Sequence, residues 1–384
     1  MNHPATEVIY ALTGQRLNST PSVMHRLLPN EPRVVNAKAQ AHLTQRYLLP
    51  YLKELTAYLL ALRAQVDLPL RQVNPIKLGK PYPIGQCLEI TLAVQQLLRT
   101  NDTRFIPGTA EEQGQRAFIV FRKAGGTVRQ VWGDLRGEFF QNAFQVGTLY
   151  VDVANDTVTP SKPKIEILPF TDANFVPIRD FRHFAHLAAH YWQDRVYPNH
   201  VVPALAPTCP LILLSPSGQF RLAEATHYMV ALAQATAYRT SEALLYDEPI
   251  PTEVFAKVSE RLTGTHWQLP SNPTEGRAAA LRACREQRSK KWHRSQWQAY
   301  DSIKVALEIN HRLAKSLTPP KPSPSKRIEP TTSELTGHTQ ALMANLRATE
   351  QAIVALKQRL AIYQTARHAY ARALQKELAK KENS

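Results

Sequence analysis

The chain has 384 residues and carries 47 Lys and Arg against 31 Asp and Glu, a formal net charge of +16. That length allows two or three domains, and 43% hydrophobic with 20% charged residues excludes a wholly disordered chain. No run of about 18 apolar residues occurs, so no membrane span is expected. The basic balance favours an anionic partner: nucleic acid, an acidic protein or a lipid surface.

Three cysteines, Cys87, Cys209 and Cys284, lie far apart with no CxxC spacing and no disulfide framework. A reducing, cytoplasmic location is the simplest expectation. The N-terminus lacks the basic-then-apolar profile of a signal peptide.

In chain order, residues 1–36 hold several turn formers and read as an irregular lead-in. Residues 37–66 read as a helix, with Leu48, Leu52, Leu55, Leu59, Leu62 and Val66 forming one apolar stripe that Pro50 should split. Residues 69–86 read as a loop rich in proline. Pro83 and Gly85 then break the chain, and Leu88, Thr91, Leu92, Gln95 and Leu98 recur at helical spacing. Cys87 therefore opens a helix. The positive end of the helix dipole there favours a thiolate, which lowers the expected pKa.

Residues 101–116 are polar and read as a loop. Four strand candidates follow. Residues 117–122 and 127–132 flank Gly125-Gly126, and residues 138–146 and 149–153 flank Gly147-Thr148, both hairpin signals. Residues 164–168 add a fifth. The expected class is α+β, with a helix packed on an antiparallel sheet. Residues 171–262 read as mainly helical, over 180–192, 222–246 and 251–262, with a loop at 199–217 and Thr252 as a cap. Residues 274–315 form a basic helical region. A Pro/Ser/Lys run over 316–332 is an extended linker, and 333–384 is one long helix. The expected divisions are thus 1–72, 73–170, 171–315, 316–332 and 333–384.

Within 82–168 the order is Gln86-Cys87 at a helix start, then Asn142-Ala143-Phe144, a two-residue turn, and Tyr150-Val151-Asp152. This resembles the transglutaminase-like branch of the papain-type cysteine superfamily. There a Cys opens a helix, a His sits in a His-Ala-aromatic strand, and an Asp follows in the next strand. The resemblance implies that Cys87 matches the nucleophile, Asn142 the His, and Asp152 the orienting Asp, with Gln86 placed to lend an oxyanion donor. The departure is at Asn142, because an amide cannot take a proton from a thiol. No His occurs from 43 to 182. Three readings stay open: a catalytically dead relative, an unrelated α+β unit whose Cys87 is a small buried residue, and a thiol enzyme of acyl transfer or amide hydrolysis that recruits a distant His.

His183, His186 and His190 are the nearest such candidates downstream, and they share a helix face. That spacing also suits Zn²⁺, but no HExxH glutamate accompanies them. Neither a metal nor a cofactor is assigned. Arg282, Arg285, Arg288, Lys291 and Arg294 recur every three residues, so the row winds around a helix as a phosphate-tracking surface would. Trp292, Trp297 and Tyr300 add faces on which bases can stack. In the tail, Leu342, Leu346, Ile353, Leu356 and Leu360 belong to an imperfect heptad. This predicts a coiled coil pairing over 342–378 with itself or with another helix. The expected function is a non-catalytic binding or assembly protein with an anionic partner, nucleic acid or acidic protein. The alternative is the thiol enzyme using Cys87 and Asp152.

Overall fold

The computed structural model describes residues 27–315, apart from 78, 223–225 and 265–266. The chain divides into two units, Met1–Thr318 and Pro319–Ser384, and the described residues all lie in the first. The expected linker at 316–332 and coiled coil at 342–378 lie outside the described residues.

The architecture is α+β, with ten α-helices and antiparallel sheets among the described residues. Helix α1 (Ala37–Tyr47) and α2 (Leu52–Val73) are separated by a 3-10 turn, Leu49–Tyr51, with Pro50 inside it. Proline removes a backbone donor and so ends the α-helical ladder there. Leu55, Tyr58, Leu59, Leu62 and Val66 form the buried stripe of α2. The helix runs through Pro69 to Val73, further than the proline count of 69–86 suggests. A two-stranded ribbon, β1 (Ile76–Lys77) and β2 (Lys80–Pro81), leads into α3 (Cys87–Thr100).

Residues 117–122 are helical rather than a strand: they belong to α4 (Ala110–Lys123). The β-branched run Ile119-Val120 suggests a strand, but the burial pattern of Gly114, Ala117, Phe118 and Phe121 has helical period. Thr109 caps the helix, its hydroxyl accepting from the Glu112 N–H at 3.3 Å. Gly114 is required by packing. A Cβ there would lie 2.1 Å from the carbonyl oxygen of Glu54, so only glycine lets α4 approach α2 this closely.

Gly125-Gly126 consequently joins α4 to a strand instead of closing a hairpin. The main sheet has five antiparallel strands in the order β6-β5-β4-β3-β7. They are β3 (Val128–Leu135), β4 (Phe139–Val146), β5 (Leu149–Asp152), β6 (Glu166–Pro169) and β7 (Phe175–Val176). The β3–β4 hairpin turns through Arg136 and Gly137, pairing Trp132 with Asn142 and Gln130 with Phe144. The β4–β5 hairpin turns at Gly147-Thr148, pairing Phe144 with Val151.

Alternation assigns each side chain a face. Gln130, Trp132, Phe140, Asn142, Phe144 and Val151 point to one face. The part of that face bearing Phe144 and Val151 packs with α2, α3 and α4 in one core. The part bearing Trp132 and Phe140 packs with α5 (Phe181–Tyr191) and later helices. The opposite face, with Val131, Ala143 and Tyr150, is covered by Phe170, Ala173 and Phe175.

The region 171–262 is less helical than its composition suggests. It contains a second antiparallel sheet, ordered β10-β9-β8: β8 (Arg195–Pro198), β9 (Leu211–Leu214) and β10 (Phe220–Leu222). Prolines flanking β9 disguise it as loop, while its continuous apolar run is that of a buried central strand. The stretch 222–246 is two helices, α6 (His227–Ala235) and α7 (Arg239–Leu245). They are parted by left-handed backbone at Ala237 (φ 49) and Tyr238 (φ 63). Helix α8 (Thr252–Arg261) has Pro251, not Thr252, at its cap position. Helix α9 (Pro273–Ser289) is capped by Asn272, and α10 (Gln296–Lys315) follows a 3-10 turn at Trp292–Arg294. Helices α8 and α10 close a third core with the second sheet, around Ile212, Phe220, Phe255 and Ile309.

Candidate functional site around Cys87

The loop before α3 is fixed from below by a buried ion cluster. Arg63, fully buried on α2, bonds both oxygens of Asp156 at 2.8 and 3.1 Å, Asp67 at 2.6 Å and the Val153 carbonyl at 2.7 Å. Asp67 also accepts from the Tyr82 hydroxyl at 2.6 Å and from Lys164. These donors and Arg63 hold its carboxyl below the ordinary range against the opposing effect of burial. Tyr82 opens the loop through a cis bond to Pro83, and Gly85 adopts left-handed backbone (φ 71) while donating to the Thr157 carbonyl at 2.9 Å. Gly85 suits that conformation because it has no Cβ.

Cys87 is the first residue of α3. It is half-buried, and the Asn142 amide nitrogen lies 3.7 Å from its sulfur. Asn142 is buried on β4; its side-chain oxygen accepts from Gln130 Nε2 at 3.0 Å, and its carbonyl accepts from Thr91 of α3 at 3.1 Å. The result is a directed line of amides: Gln130 donates to Asn142, and Asn142 donates to Cys87. Burial pushes the Cys87 thiol above its ordinary pKa, opposed by Lys77 and by hydrogen bonding from Asn142, and reinforced by Glu89. The direction is opposite to the lowering expected from the helix dipole alone.

Two further groups surround the thiol. Lys77 pairs with Glu89 at 2.8 Å, and the second carboxylate oxygen of Glu89 is buried with no hydrogen bond among the described residues. Tyr191, at the end of α5, has its pKa raised by burial, and a Cys87 thiolate would raise it further.

The other site residues read from the sequence are placed elsewhere. Asp152 is fully buried on the opposite face of the sheet from Asn142. It accepts from the Tyr150 hydroxyl at 3.0 Å, the Ala154 N–H at 2.7 Å and the Gln141 amide. It does not orient Asn142. Gln130, on the neighbouring strand, holds the Asn142 amide instead. Burial raises the Asp152 carboxyl to about 6 despite those three donors. Gln86 is also fully buried, and its amide bonds Asn74 in both directions, Nε2 to the carbonyl at 2.9 Å and Oε1 from Nδ2 at 3.3 Å. It ties the end of α2 to the start of α3 and does not reach the thiol.

His183 lies on α5 and bonds Asp134 of β3 at 2.9 Å through Nε2, while its Nδ1 faces the Arg179 N–H at 3.2 Å. That pattern makes Nε2 the protonated nitrogen, donating to Asp134. Both ring nitrogens are thereby occupied. His190 is exposed. Among the described residues no group of three or more His, Cys, Asp or Glu is arranged to hold a metal ion.

The basic row divides. Arg285 and Arg288 both pair with Glu242 of α7, at 2.9 and 2.6 Å, and Arg285 also reaches the Tyr246 hydroxyl. Helix α9 ends at Ser289, so Lys291 (φ 58) and Arg294 sit on the turn beyond it rather than on the same helix. Arg282, Lys291 and Arg294 are exposed. Trp292 is half-buried beneath the Lys290 ammonium, which lies 5.1 Å from its ring centre.

Gln130, Lys77, Glu89 and Tyr191 carry no local motif. The β3–β4 pairing across Arg136-Gly137 is what puts Gln130 diagonally beside Asn142 on one face. No helix among the described residues is long and apolar enough to cross a membrane. No family model, no curated protein and no solved structure matches this chain.

Proposed function

We propose that the protein is a non-catalytic binding or assembly protein with an anionic partner, built on a core like that of the transglutaminase and papain-type thiol enzymes. One observation carries this reading: the group facing the Cys87 sulfur is the Asn142 amide, oriented as a donor by Gln130. Thiol catalysis needs a base that removes the proton and a lowered thiol pKa. Here the neighbour is a donor and burial raises the thiol. The alternative enzyme needs a distant His. His183 has both nitrogens occupied, and Asp152 lies across the sheet, which weighs against it.

The net charge of +16 supports the anionic partner. Three free cysteines suit a reducing, cytoplasmic setting. The heptad at 342–378 is proposed as the surface for self-association or for another helix.

A peptidyl vinyl sulfone mixed with the full chain at neutral pH tests the non-catalytic reading. Cys87 should react no faster than free N-acetylcysteine. Reaction about a hundredfold faster would identify an activated nucleophile and overturn it.

A further inference from the structure

We propose that single-stranded nucleic acid binds at the junction of α9 and α10, on Lys291, Arg294, Trp297 and Tyr300. This deepens the anionic-partner reading and rests on it, but it moves the contact surface from the α9 row to the turn beyond.

The first argument is what the cations are doing. Arg285 and Arg288 are consumed by Glu242, and Lys290 pairs with Glu286 at 2.5 Å. Each of these three cations already faces a carboxylate of the protein, Arg285 and Lys290 at the surface and Arg288 half-buried. Lys291 and Arg294 are exposed and hold no ion pair among the described residues. From 291 to 304 the chain has Lys291, Arg294 and Lys304 against one acid, Asp301, which is exposed. An excess of cations on so short a surface suits a row of phosphates.

The second argument is the aromatic pair. Trp297 is 69% exposed and Tyr300 is 54% exposed, within the first five residues of α10. Their ring centres are 6.4 Å apart with an angle of 36°. Most large rings among the described residues are packed in the cores, so two neighbouring rings left in water call for a partner with flat apolar faces. Unpaired bases supply such faces, and stacking on exposed aromatics is how sequence-tolerant single-strand binders hold them. A duplex hides its base faces, and an acidic peptide offers charge without them.

The third argument is preorganisation. The turn is fixed by Arg294 N–H to the Lys291 carbonyl at 3.0 Å and Ser295 N–H to the Trp292 carbonyl at 2.9 Å. Gln234 of α6 donates to the Ser295 carbonyl at 2.9 Å, anchoring the junction to the body of the fold. The cations and rings are therefore presented from fixed backbone, with Arg294 three residues before Trp297.

The test titrates the full chain into labelled oligo(dT) and oligo(U), read by fluorescence anisotropy, with heparin as a polyanion lacking bases. Both oligonucleotides should bind at about 50 mM salt. With two phosphates neutralised, by Lys291 and Arg294, affinity should fall about sevenfold between roughly 50 and 200 mM. The double change Trp297→Ala with Tyr300→Ala should weaken oligonucleotide binding at least about tenfold and leave heparin within about twofold. Lys291→Gln with Arg294→Gln should weaken both ligands. Arg285→Gln with Arg288→Gln should leave oligonucleotide affinity within about threefold. Oligonucleotide binding that ignores the ring change would overturn the assignment. So would concentration-dependent self-association abolished by that change, because a second copy would then cover the rings. Heparin binding without oligonucleotide binding would sink the nucleic-acid inference alone. Binding of neither would sink the anionic-partner reading with it.

Discussion

The Asn142 side-chain nitrogen stands 3.7 Å from the Cys87 sulfur, and the Asn142 oxygen is held by Gln130 at 3.0 Å. Gln130 thus fixes which end of the amide meets the thiol. The sulfur therefore faces an amide donor and not a proton acceptor.

The amide line makes a stability prediction. Asn142→Ala leaves the buried Gln130 amide without its acceptor, which should cost about 1–3 kcal/mol in urea unfolding. Adding Gln130→Leu should recover part of that loss, because both polar partners are then gone. Equal and additive losses from the two changes would show that Gln130 and Asn142 are not coupled.

Arg63 should matter more. Arg63→Met leaves Asp156 with no cationic partner in a buried setting and frees one side of Asp67. Breaking one side of a buried pair costs about 3–5 kcal/mol, and removing Asp156 as well should return much of it. A urea midpoint unchanged by Arg63→Met would mean that the cluster does not hold α2 to the loop at 153–157.

Two buried groups give opposed pH dependences. Burial raises Asp152 from 3.8 to about 6, so its contribution to stability is full below about 3.8 and lost as pH rises through about 6. Burial lowers His200 from 6.5 to about 4, the Leu245 carbonyl opposing and Arg277 reinforcing it. Its contribution is present above about 6.5 and lost as pH falls through about 4. The two largely offset each other in the native chain over this window. Asp152→Asn should uncover the acid sensitivity of His200, on the order of 3 kcal/mol between pH 6.5 and 4. His200→Gln should make the protein gain stability on acidification. Thermal unfolding across pH 4–7 checks both, and parallel profiles for the native chain and Asp152→Asn would refute the assignment.

What could be read from the sequence follows the physics of each signal. Pro83 and Gly85 break the chain wherever they occur, so the start of α3 and the place of Cys87 were readable. Gly147-Thr148 likewise marked the β4–β5 turn. Residues 117–122 were misleading because Ile119 and Val120 favour strands, whereas the capping Thr109 and the close approach at Gly114 decide for a helix. The site depends on register. The order Asn142, then Asp152, looks like a relay along the chain, yet strand alternation sends them to opposite faces, and Gln130 enters through the pairing of β3 with β4, which no local signal marks. The pairing of Arg285 and Arg288 with Glu242 was beyond reach for another reason: nothing local links residue 242 to a helix some 40 residues later.

The most direct test is the pH dependence of Cys87 alkylation by iodoacetamide in the full chain, followed by mass spectrometry of the peptide that carries it. A non-catalytic site with a buried thiol predicts a rate still rising above the free-thiol pKa of about 8.5. A rate that reaches its plateau below about pH 7 would mean a preformed thiolate, and would contradict the account.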